Sequence, residues 1–491
     1  MLLVSTPLAA QHRIARRDFR PWGSFAQNPQ HTAISPVRSQ SLGRIIWQTP
    51  IDLAPPFSNG ELRIHYGAPL ITAGNTVIVP VKTGLDGGFR IEAHSGIDGK
   101  LKWTAATSYV LPAHNWVPPV GAVLAQGKRL YFPGPGGTVY FRDNPDSAEG
   151  ATGQIAFYGL SNYTPNAAVY DASVMINTPL TADEEGNLFF GFQVTGLTPL
   201  RLVAGFARIS AGGEGTWTSA AAASGISTAV AVVQNCAPAI SADGSTMYAA
   251  VRDTAGVGYL LALDARTLAR EAAVRLTDPA TGKPAFVSND ATASPMIGWD
   301  GDVFYGVLES SGENHERGWL LHFDRSLAVA KTPGAFGWDD TPSLVPVSMV
   351  PKYAGNASYL LLTKYNNYKE AGGDGINRIA VLDPNRPEID PVTGVSVMSV
   401  VISIVGPTAD GDAPAVKEWC INSAAVDPWS RSVLVNSEDG RAYRWDLTTN
   451  TFTESLELSS GTPEPYTPTV IGPDGTVYAI NNASLFALGS R

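Results

Sequence analysis

The chain of 491 residues contains only two cysteines, no long apolar run and a single cluster of basic residues. No stretch approaches the roughly 20 apolar residues of a membrane-spanning helix, so the sequence predicts no transmembrane segment. The formal net charge is −10, and the one basic run, at 13–20, belongs to a predicted solvated N-terminal tail. Because a phosphate polyanion requires clustered Lys and Arg, nucleic acid is excluded as the natural partner.

Common catalytic signatures are absent as well. The chain has no Gly-rich phosphate cradle, no nucleophile elbow and no HExxH helix. The segments GWDGD (298–302) and ADGDAP (409–414) contain part of a calcium loop but lack the EF-hand spacing. Since Asp-Gly is also the usual turn of a β-hairpin, calcium is kept only as a candidate cofactor, and no metal ligand is assigned.

What the chain does contain is a repeat. An apolar strand runs into a turn and then into a second strand rich in aromatic residues, which is typical of a hairpin. The clearest copies are at 178–192, 237–251, 294–307 and 467–480. Eight copies are found, anchored at Pro69, Gly121, Pro179, Pro238, Pro295, Pro342, Ala424 and Pro468. Their spacing is near that of a four-stranded blade, so the sequence predicts an all-β, eight-bladed β-propeller.

The two ends of the chain predict how the ring closes. The last repeat supplies only three strands before the chain ends, whereas GRIIWQTPID (43–52) is a strand without a hairpin partner. Pairing the two would remove an exposed sheet edge, so we expect an N-terminal strand to be the outer strand of the last blade. The long interval between Pro342 and Ala424 still divides into four strands, and no ninth blade is predicted.

The sequence predicts one folded domain, the propeller at 43–491, preceded by an N-terminal extension at 12–42. The first residues, 1–11, resemble the apolar end and small-residue cleavage zone of a secretory signal whose basic region is missing. They are interpreted as a signal-peptide remnant, which predicts an extracellular or periplasmic location. Cys236 and Cys420 precede strands three blades apart, beyond the roughly 7 Å that a disulfide bridges, so no disulfide is expected.

Several segments carry a resemblance to a known family. They are the opening WGSFAQNPQHTAIS (22–35), the unit AHSGIDGKLKW (93–103) and the closing DGTVYAINNASLFAL (474–488). The chain resembles the PQQ-binding-like, or quinoprotein alcohol dehydrogenase-like, propeller repeat proteins over roughly 22–490. The resemblance implies the propeller fold. It also makes a PQQ- and calcium-dependent alcohol dehydrogenase an alternative function.

The cofactor-dependent members of that family hold the quinone between a Trp and a disulfide of adjacent cysteines, over a calcium site. Cys236 and Cys420 do not form such a pair, and only one complete tryptophan-docking unit, ending at Trp103, is present. We therefore expect no PQQ.

Polar residues just before each inner strand, and in the facing loops, predict a funnel at one end of the channel. The candidate catalytic residues are His65, His114, Arg252, Glu309, Lys364, Tyr365 and Glu418. The candidate ligand-binding residues are Lys82, Trp116, Asn235, Asp290, Asp339, Asn422, Asn436, Tyr466 and Asn481. His65 and His114 precede neighbouring blades, so they could form a base or metal pair, and a structural role for both is the alternative. The loop at 363–375 resembles a sugar-binding lip, with aromatic faces and amides, and the alternative is a long connecting loop without a binding role.

This ring mixes acid/base candidates with cations that could stabilise an oxyanion. The first hypothesis is a secreted ligand-binding propeller, with cofactor-free hydrolase or lyase activity at the funnel. Its partner would be a small molecule, or a polymer such as a saccharide. The alternative is a non-catalytic binding or assembly scaffold, in which the same polar residues only satisfy strand ends and ordered water.

Overall fold

The structure, a computed structural model, describes residues 22–85, 87–117, 120–287, 293–464 and 467–490. Two candidate site residues, Asp290 and Tyr466, lie outside the described residues. So do the proposed signal remnant at 1–11 and the basic run at 13–20.

The described strands form eight antiparallel blades and one small hairpin. The first strands are β1 (Arg44–Pro50), β2 (Phe57–Ser58) and β3 (Glu61–Leu62), of which β2 and β3 are the hairpin. Blade 1 contains β4 (Leu70–Ile71), β5 (Thr76–Lys82), β6 (Phe89–Ser95) and β7 (Leu101–Thr107). Blade 2 contains β8 (Val123–Ala125), β9 (Arg129–Pro133), β10 (Thr138–Asp143) and β11 (Thr152–Ala156).

Blades 3 and 4 each divide the inner strand into two short pieces. Blade 3 contains β12 (Val174–Ile176), β13 (Thr181–Ala182), β14 (Leu188–Val194), β15 (Gly205–Ile209) and β16 (Gly215–Ser219). Blade 4 contains β17 (Ala229–Val232), β18 (Ala239–Ile240), β19 (Thr246–Asp253), β20 (Gly258–Asp264) and β21 (Arg270–Arg275).

The remaining blades complete the ring. Blade 5 contains β22 (Met296–Ile297), β23 (Val303–Val307) and β24 (Trp319–Phe323). Blade 6 contains β25 (Ser343–Pro346), β26 (Tyr359–Tyr365), β27 (Arg378–Ile389) and β28 (Ser396–Val405). Blade 7 contains β29 (Ala425–Asp427), β30 (Ser432–Asn436), β31 (Arg441–Asp446) and β32 (Thr451–Glu457). Blade 8 contains β33 (Thr469–Ile471), β34 (Val477–Asn481), β35 (Ser484–Gly489) and β1.

Helices are few and short. The α-helices of the described residues are α1 (Leu160–Tyr163), α2 (Ala167–Ser173) and α3 (Ala220–Ser224). The 3₁₀ turns are Pro135–Gly137, Thr164–Asn166, Gly312–Asn314 and Val347–Met349. No helix of the described residues is long and apolar enough to cross a membrane.

In most blades, burial falls from the inner strands to the outer strand. In blade 8, every residue of β33 and β34 is buried, because the neighbouring blades cover both faces of these strands. The outer strand β32 of blade 7 alternates exposed and half-buried residues instead. The aromatic residues of each repeat therefore fill the layers between blades, which is why a single hairpin copy would not be stable alone.

The predicted closure of the ring is confirmed. Strand β1 pairs antiparallel with β35, from Arg44 opposite Gly489 to Pro50 opposite Ser484. The Trp47 indole extends from β1 to blade 1, where its Nε1 donates a hydrogen bond of 3.1 Å to the Gly96 carbonyl. One side chain thus joins the last blade to the first.

Residues 22–40 run around one end of the central channel, and we call this segment the N-terminal plug. Its carbonyls accept backbone hydrogen bonds from the ends of the inner strands in ring order. The donors are Ile71, Leu124, Ile240, Ile297, Leu344 and Val426, paired with Trp22, Gly23, Pro29, Gln30, Thr32 and Ala33 at 2.7–3.0 Å. The plug therefore occupies edges that the inner strands would otherwise present unpaired. Trp22, Phe25 and Leu42 belong to the hydrophobic core.

Candidate functional site

A cavity of about 470 Å³ opens at the mouth where the inner strands begin, opposite the plug, and we call it the funnel. It is lined by Glu61, His65, Trp116, Glu316, Trp338, Asp339, Lys364, Tyr368, Glu370, Glu418, Trp419, Cys420 and Glu438. The lining combines carboxyl groups, one ammonium group and four large aromatic side chains. It is therefore suited to a polar molecule that also carries charge or a stacking surface.

The propeller topology brings distant parts of the chain to this mouth. Lys364 is the penultimate residue of β26, and Glu438 follows the end of β30, so both leave second strands of their blades on the same side. Glu418 and Cys420 precede the inner strand β29. His65 precedes β4, and its backbone N–H donates a 2.9 Å hydrogen bond to the Val117 carbonyl.

Lys364 is the unusual member of the funnel. The residue is only 4 % exposed. Its Nζ lies 5.8 Å from the centroid of the Phe336 ring, and it has no hydrogen-bond or ion-pair partner among the described residues. The side chain is buried, but its Nζ is not fully enclosed and faces the cavity, so water or a ligand supplies its acceptors. Lys364 therefore offers a strong donor to whatever enters the cavity.

Burial raises the pKa of two carboxyl groups beside Lys364. Burial, and next the charge of Glu438, raises the pKa of Glu418 to about 8. Burial likewise raises the pKa of Glu438. The Cys420 thiol donates to Glu438 Oε1 at 2.9 Å, and burial raises the pKa of Cys420 well above its usual range. Near neutral pH Glu418 thus remains a carboxylic acid and Cys420 a thiol.

His65 does not add positive charge to this interior. Burial, and next the charge of Lys364, lowers the pKa of His65 to about 3, so the imidazole is neutral at physiological pH. Its ring centroid lies 5.6 Å from that of Trp116, whose other neighbour is the Arg63 guanidinium, 4.2 Å from the indole centroid. His65 therefore contributes to an aromatic wall of the funnel.

The rim of the funnel is acidic. Glu316 and Glu370 are exposed to solvent. Glu61 is half-buried and forms a 3.0 Å ion pair with Arg63. A ligand thus passes exposed carboxylates before it reaches Lys364.

Five of the candidate residues predicted from sequence line the funnel together, namely His65, Trp116, Asp339, Lys364 and Glu418. His114 does not line it. Its Nδ1 is 2.6 Å from the Pro112 carbonyl oxygen. Glu309 and Tyr365 are also outside the lining. The Glu309 carboxylate accepts the backbone N–H groups of Glu316 and Gly318 at 2.7 and 2.8 Å, which orders the loop that carries Glu316.

The other candidates have contacts within the propeller. The Tyr365 ring packs between the cores of blades 5 and 6, and Arg252 lies on β19 opposite Gly258. The Lys82 ammonium is paired with Asp52. The amides lie at strand ends, where Asn422 donates to the Asp339 carbonyl at 2.9 Å and Asn436 to the Ile480 carbonyl at 2.8 Å. Asn235 is buried, and Asn481 accepts a hydrogen bond from the Ser459 hydroxyl. None of these side chains lines the funnel.

The catalytic and ligand-binding residues predicted from the sequence did not include the other eight lining residues, namely Glu61, Glu316, Trp338, Tyr368, Glu370, Trp419, Cys420 and Glu438. Trp338 directly precedes the selected Asp339, and Tyr368 and Glu370 belong to the loop at 363–375 that was singled out for its aromatic and amide residues. These three had a local signal. Glu61 had none, because the β2–β3 hairpin lies outside the repeat.

The Asp-rich turns considered for calcium are occupied by protein groups. Asp302 Oδ2 is 2.8 Å from His322 Nε2 and also contacts the Lys331 ammonium. Asp410 pairs with Lys417 at 2.5 Å. Within the described residues, no group of three or more His, Cys, Asp or Glu side chains is arranged to hold a metal ion.

No protein family and no curated protein matches the chain in sequence. Solved structures do match it in fold. A europium-containing methanol dehydrogenase is 11 % identical with a TM-score of 0.59, over 94 % of this chain and 89 % of that one. A quinohemoprotein alcohol dehydrogenase from Comamonas testosteroni is 11 % identical with a TM-score of 0.58, over 96 % and 81 %. The predicted quinoprotein-like propeller fold is thereby confirmed, as a likeness of fold alone.

The funnel does not fit the quinone that the fold suggests. PQQ carries three carboxylates, so its site requires several cations. The funnel lining contains six carboxyl residues and one lysine. Its one cysteine, Cys420, belongs to a different blade from the other free cysteine, Cys236.

Proposed function

We propose that the protein is a ligand-binding propeller whose funnel takes a small polar molecule that accepts a hydrogen bond from Lys364. The plug covers the opposite end of the channel, so the funnel is the mouth through which this ligand enters. The aromatic side chains Trp116, Trp338 and Tyr368 give it stacking surfaces.

The observation that carries this proposal is the unpaired Lys364 ammonium in a cavity large enough for a ligand. A scaffold does not require such a group, because the ammonium makes no hydrogen bond or ion pair within the described residues that its removal would break. A binding site does require it, since an acceptor on the ligand then pairs with the ammonium in a partly dehydrated setting.

A thermal-shift screen tests the proposal. Aliphatic carboxylates, monosaccharides and amino acids are added to the wild type, to Lys364→Met and to Lys283→Met, whose exposed lysine lies away from the funnel. We expect at least one compound to raise the Tm of the wild type and of Lys283→Met by roughly 2–3 °C at 100 times its Kd. The same compound should not shift Lys364→Met. If every shift persists in Lys364→Met, the funnel is not the binding site and the scaffold hypothesis gains.

Acid–base catalysis in the same funnel is a second candidate function, favoured by one observation. Burial raises the pKa of Glu418 to about 8, and its carboxyl group lines the cavity beside the Lys364 ammonium, so a proton donor and a cation face the same space. This arrangement suits a cofactor-free hydrolase or lyase acting on a small molecule or a saccharide. In that case Glu418→Gln should abolish turnover and keep binding, and turnover in the wild type should fall above about pH 8.

Export of the protein to the periplasm or the cell exterior is part of the proposal, supported by the apolar and small residues at 1–11. Mass spectrometry of the protein from a cell fractionation would test it. Recovery of the chain with 1–11 intact in the cytoplasm would contradict it.

A further inference from the structure

We propose that the ligand of the funnel is a zwitterion, an amino carboxylate that places its carboxylate on Lys364 and its ammonium group among the rim carboxylates. This inference rests on the proposed ligand-binding function and names the class of ligand.

Two side chains in the interior of the funnel can donate hydrogen bonds to a ligand carboxylate. Lys364 supplies an unpaired ammonium group that is 4 % exposed. Glu418 supplies a carboxylic acid proton near neutral pH. His65 adds no charge there, because its imidazole is neutral. A ligand carboxylate satisfies these donors with charge-assisted hydrogen bonds, which are stronger than bonds between neutral groups. A ligand ammonium at the same place would be repelled by Lys364.

The rim of the funnel presents carboxylates, which attract a positively charged group of the ligand. Glu316 and Glu370 are exposed and carry no ion pair within the described residues. Trp338 and Tyr368 line the same cavity, and an ammonium group is attracted both to carboxylates and to aromatic faces. The acidic rim alone would not define a site. The buried, unpaired ammonium of Lys364 is the independent observation that points to a ligand.

A ligand with a single charge cannot interact favourably with both the interior and the rim of the funnel. A simple carboxylate gains the contact with Lys364 but must sit behind a rim of like charge, which costs affinity and slows entry. A simple amine is attracted by the rim and leaves Lys364 without an acceptor. A molecule with a carboxylate and an ammonium group can pair with Lys364 in the interior and with the carboxylates of the rim at the same time.

Isothermal titration calorimetry with three matched series tests the inference. The probes are unbranched ω-amino carboxylates of two to eight carbons, the carboxylates of the same lengths without the amine, and the alkylamines of the same lengths. We expect at least one amino carboxylate to bind the wild type ten times or more tightly than both of its single-charge counterparts. Lys364→Met should lose this binding, and Lys283→Met should keep it.

The rim is tested by Glu316→Gln/Glu370→Gln. We expect this double variant to bind the amino carboxylate at least threefold more weakly and the matched carboxylate more tightly, because the repulsion at the rim is reduced. Affinity of the wild type for the amino carboxylate should also fall above about pH 8, as Glu418 loses its proton.

The outcomes separate the two proposals. If a carboxylate or an amine binds as tightly as the amino carboxylate of its length and Lys364→Met abolishes that binding, the ligand-binding function stands and the zwitterion is wrong. If none of the three series binds, the zwitterion is also wrong, and the thermal-shift screen with monosaccharides then decides the ligand-binding function. If the amino carboxylate binds Lys364→Met as well as the wild type, both proposals fail for the funnel.

Discussion

The Lys82 ammonium lies 3.0 Å from Asp52 Oδ1, and both side chains are removed from solvent. Lys82 also donates to the Gly84 carbonyl at 2.8 Å and to the Ala54 carbonyl. Its donors are therefore satisfied by the protein, whereas those of the equally buried Lys364 are not. The propeller thus contains one buried lysine that is paired with protein groups and another that faces a cavity.

This contrast predicts that replacement by Met lowers the free energy of unfolding strongly at Lys82 and hardly at all at Lys364. Lys82→Met should cost about 3–5 kcal/mol, because it leaves the buried Asp52 carboxylate unpaired. Lys364→Met should change the free energy of unfolding by less than about 0.5 kcal/mol, or increase it. Urea unfolding measures both. The double variant Lys82→Met/Asp52→Asn should recover part of the loss, and an equal destabilisation by both lysine variants would contradict the assignment.

The contact of Trp47 with blade 1 predicts that ring closure is sensitive to a single methyl group. Gly99 has a φ of +70°, and a Cβ there would lie 2.7 Å from Trp47 Cδ2. Gly244 has nearly the same φ, +72°, with nothing within 4 Å of a Cβ, so Gly244→Ala is a matched control. Gly99→Ala should cost about 1–3 kcal/mol more than Gly244→Ala, because overpacking adds to the common backbone strain. Equal losses would show that Trp47 does not constrain the junction.

The N-terminal plug predicts that residues before the first blade stabilise the whole ring. Trp22 is 2 % exposed, and Trp22→Ala should cost about 3–5 kcal/mol by leaving a cavity. Trp299, 56 % exposed, is the control, and Trp299→Ala should be nearly neutral. Deletion of 1–52, which also removes β1, should be more destabilising than either substitution. If the deleted chain melts within a degree or two of the full chain, neither the plug nor the closing strand stabilises the ring.

Buried carboxyl groups predict that stability decreases with rising pH. Glu464 is 1 % exposed, and burial raises its pKa to about 8. Between about pH 4.5 and 8 the folded chain therefore binds a proton there that the unfolded chain has lost. The stabilisation from this group is complete below about pH 4.5 and disappears as the pH rises through 8. Glu464→Gln should make the slope of unfolding free energy against pH less negative by up to about 1.4 kcal/mol per unit. Urea unfolding of the wild type and of Glu464→Gln from pH 5 to 8 measures this slope. An equal slope in the two proteins would contradict the prediction.

The acidic lining of the funnel predicts that the purified protein contains no quinone. It should also gain no dye-linked alcohol dehydrogenase activity when PQQ and calcium are added. Absorbance spectroscopy and an activity assay decide this. A quinone band that titrates to one equivalent would overturn the prediction and support the dehydrogenase alternative.

Fold and closure were predictable because the information is local and repeated. Each hairpin is recognisable from period-2 apolar residues followed by a turn. The unpaired strand at 43–52 and the incomplete last blade then predict that these two elements pair with each other. The funnel was only partly predictable. The sequence correctly placed Lys364 and Glu418 at the same mouth. It also assigned Arg252 and Glu309 to that site, and the structure places both outside the funnel lining. The direction of a side chain at a strand end depends on strand register and loop path, which the sequence pattern does not specify.

By itself the sequence determined the number of blades, the closing strand and the mouth at which polar residues gather. The tertiary structure decided which of those residues share a cavity and which charges they carry. Both lysines are buried, and only the surrounding chain, which brings Asp52 and two carbonyls to Lys82 and a cavity to Lys364, separates the paired ammonium from the unpaired one. The plug at 22–40 was likewise decided in three dimensions, because its aperiodic segment is held by strand edges that exist only once the ring has formed.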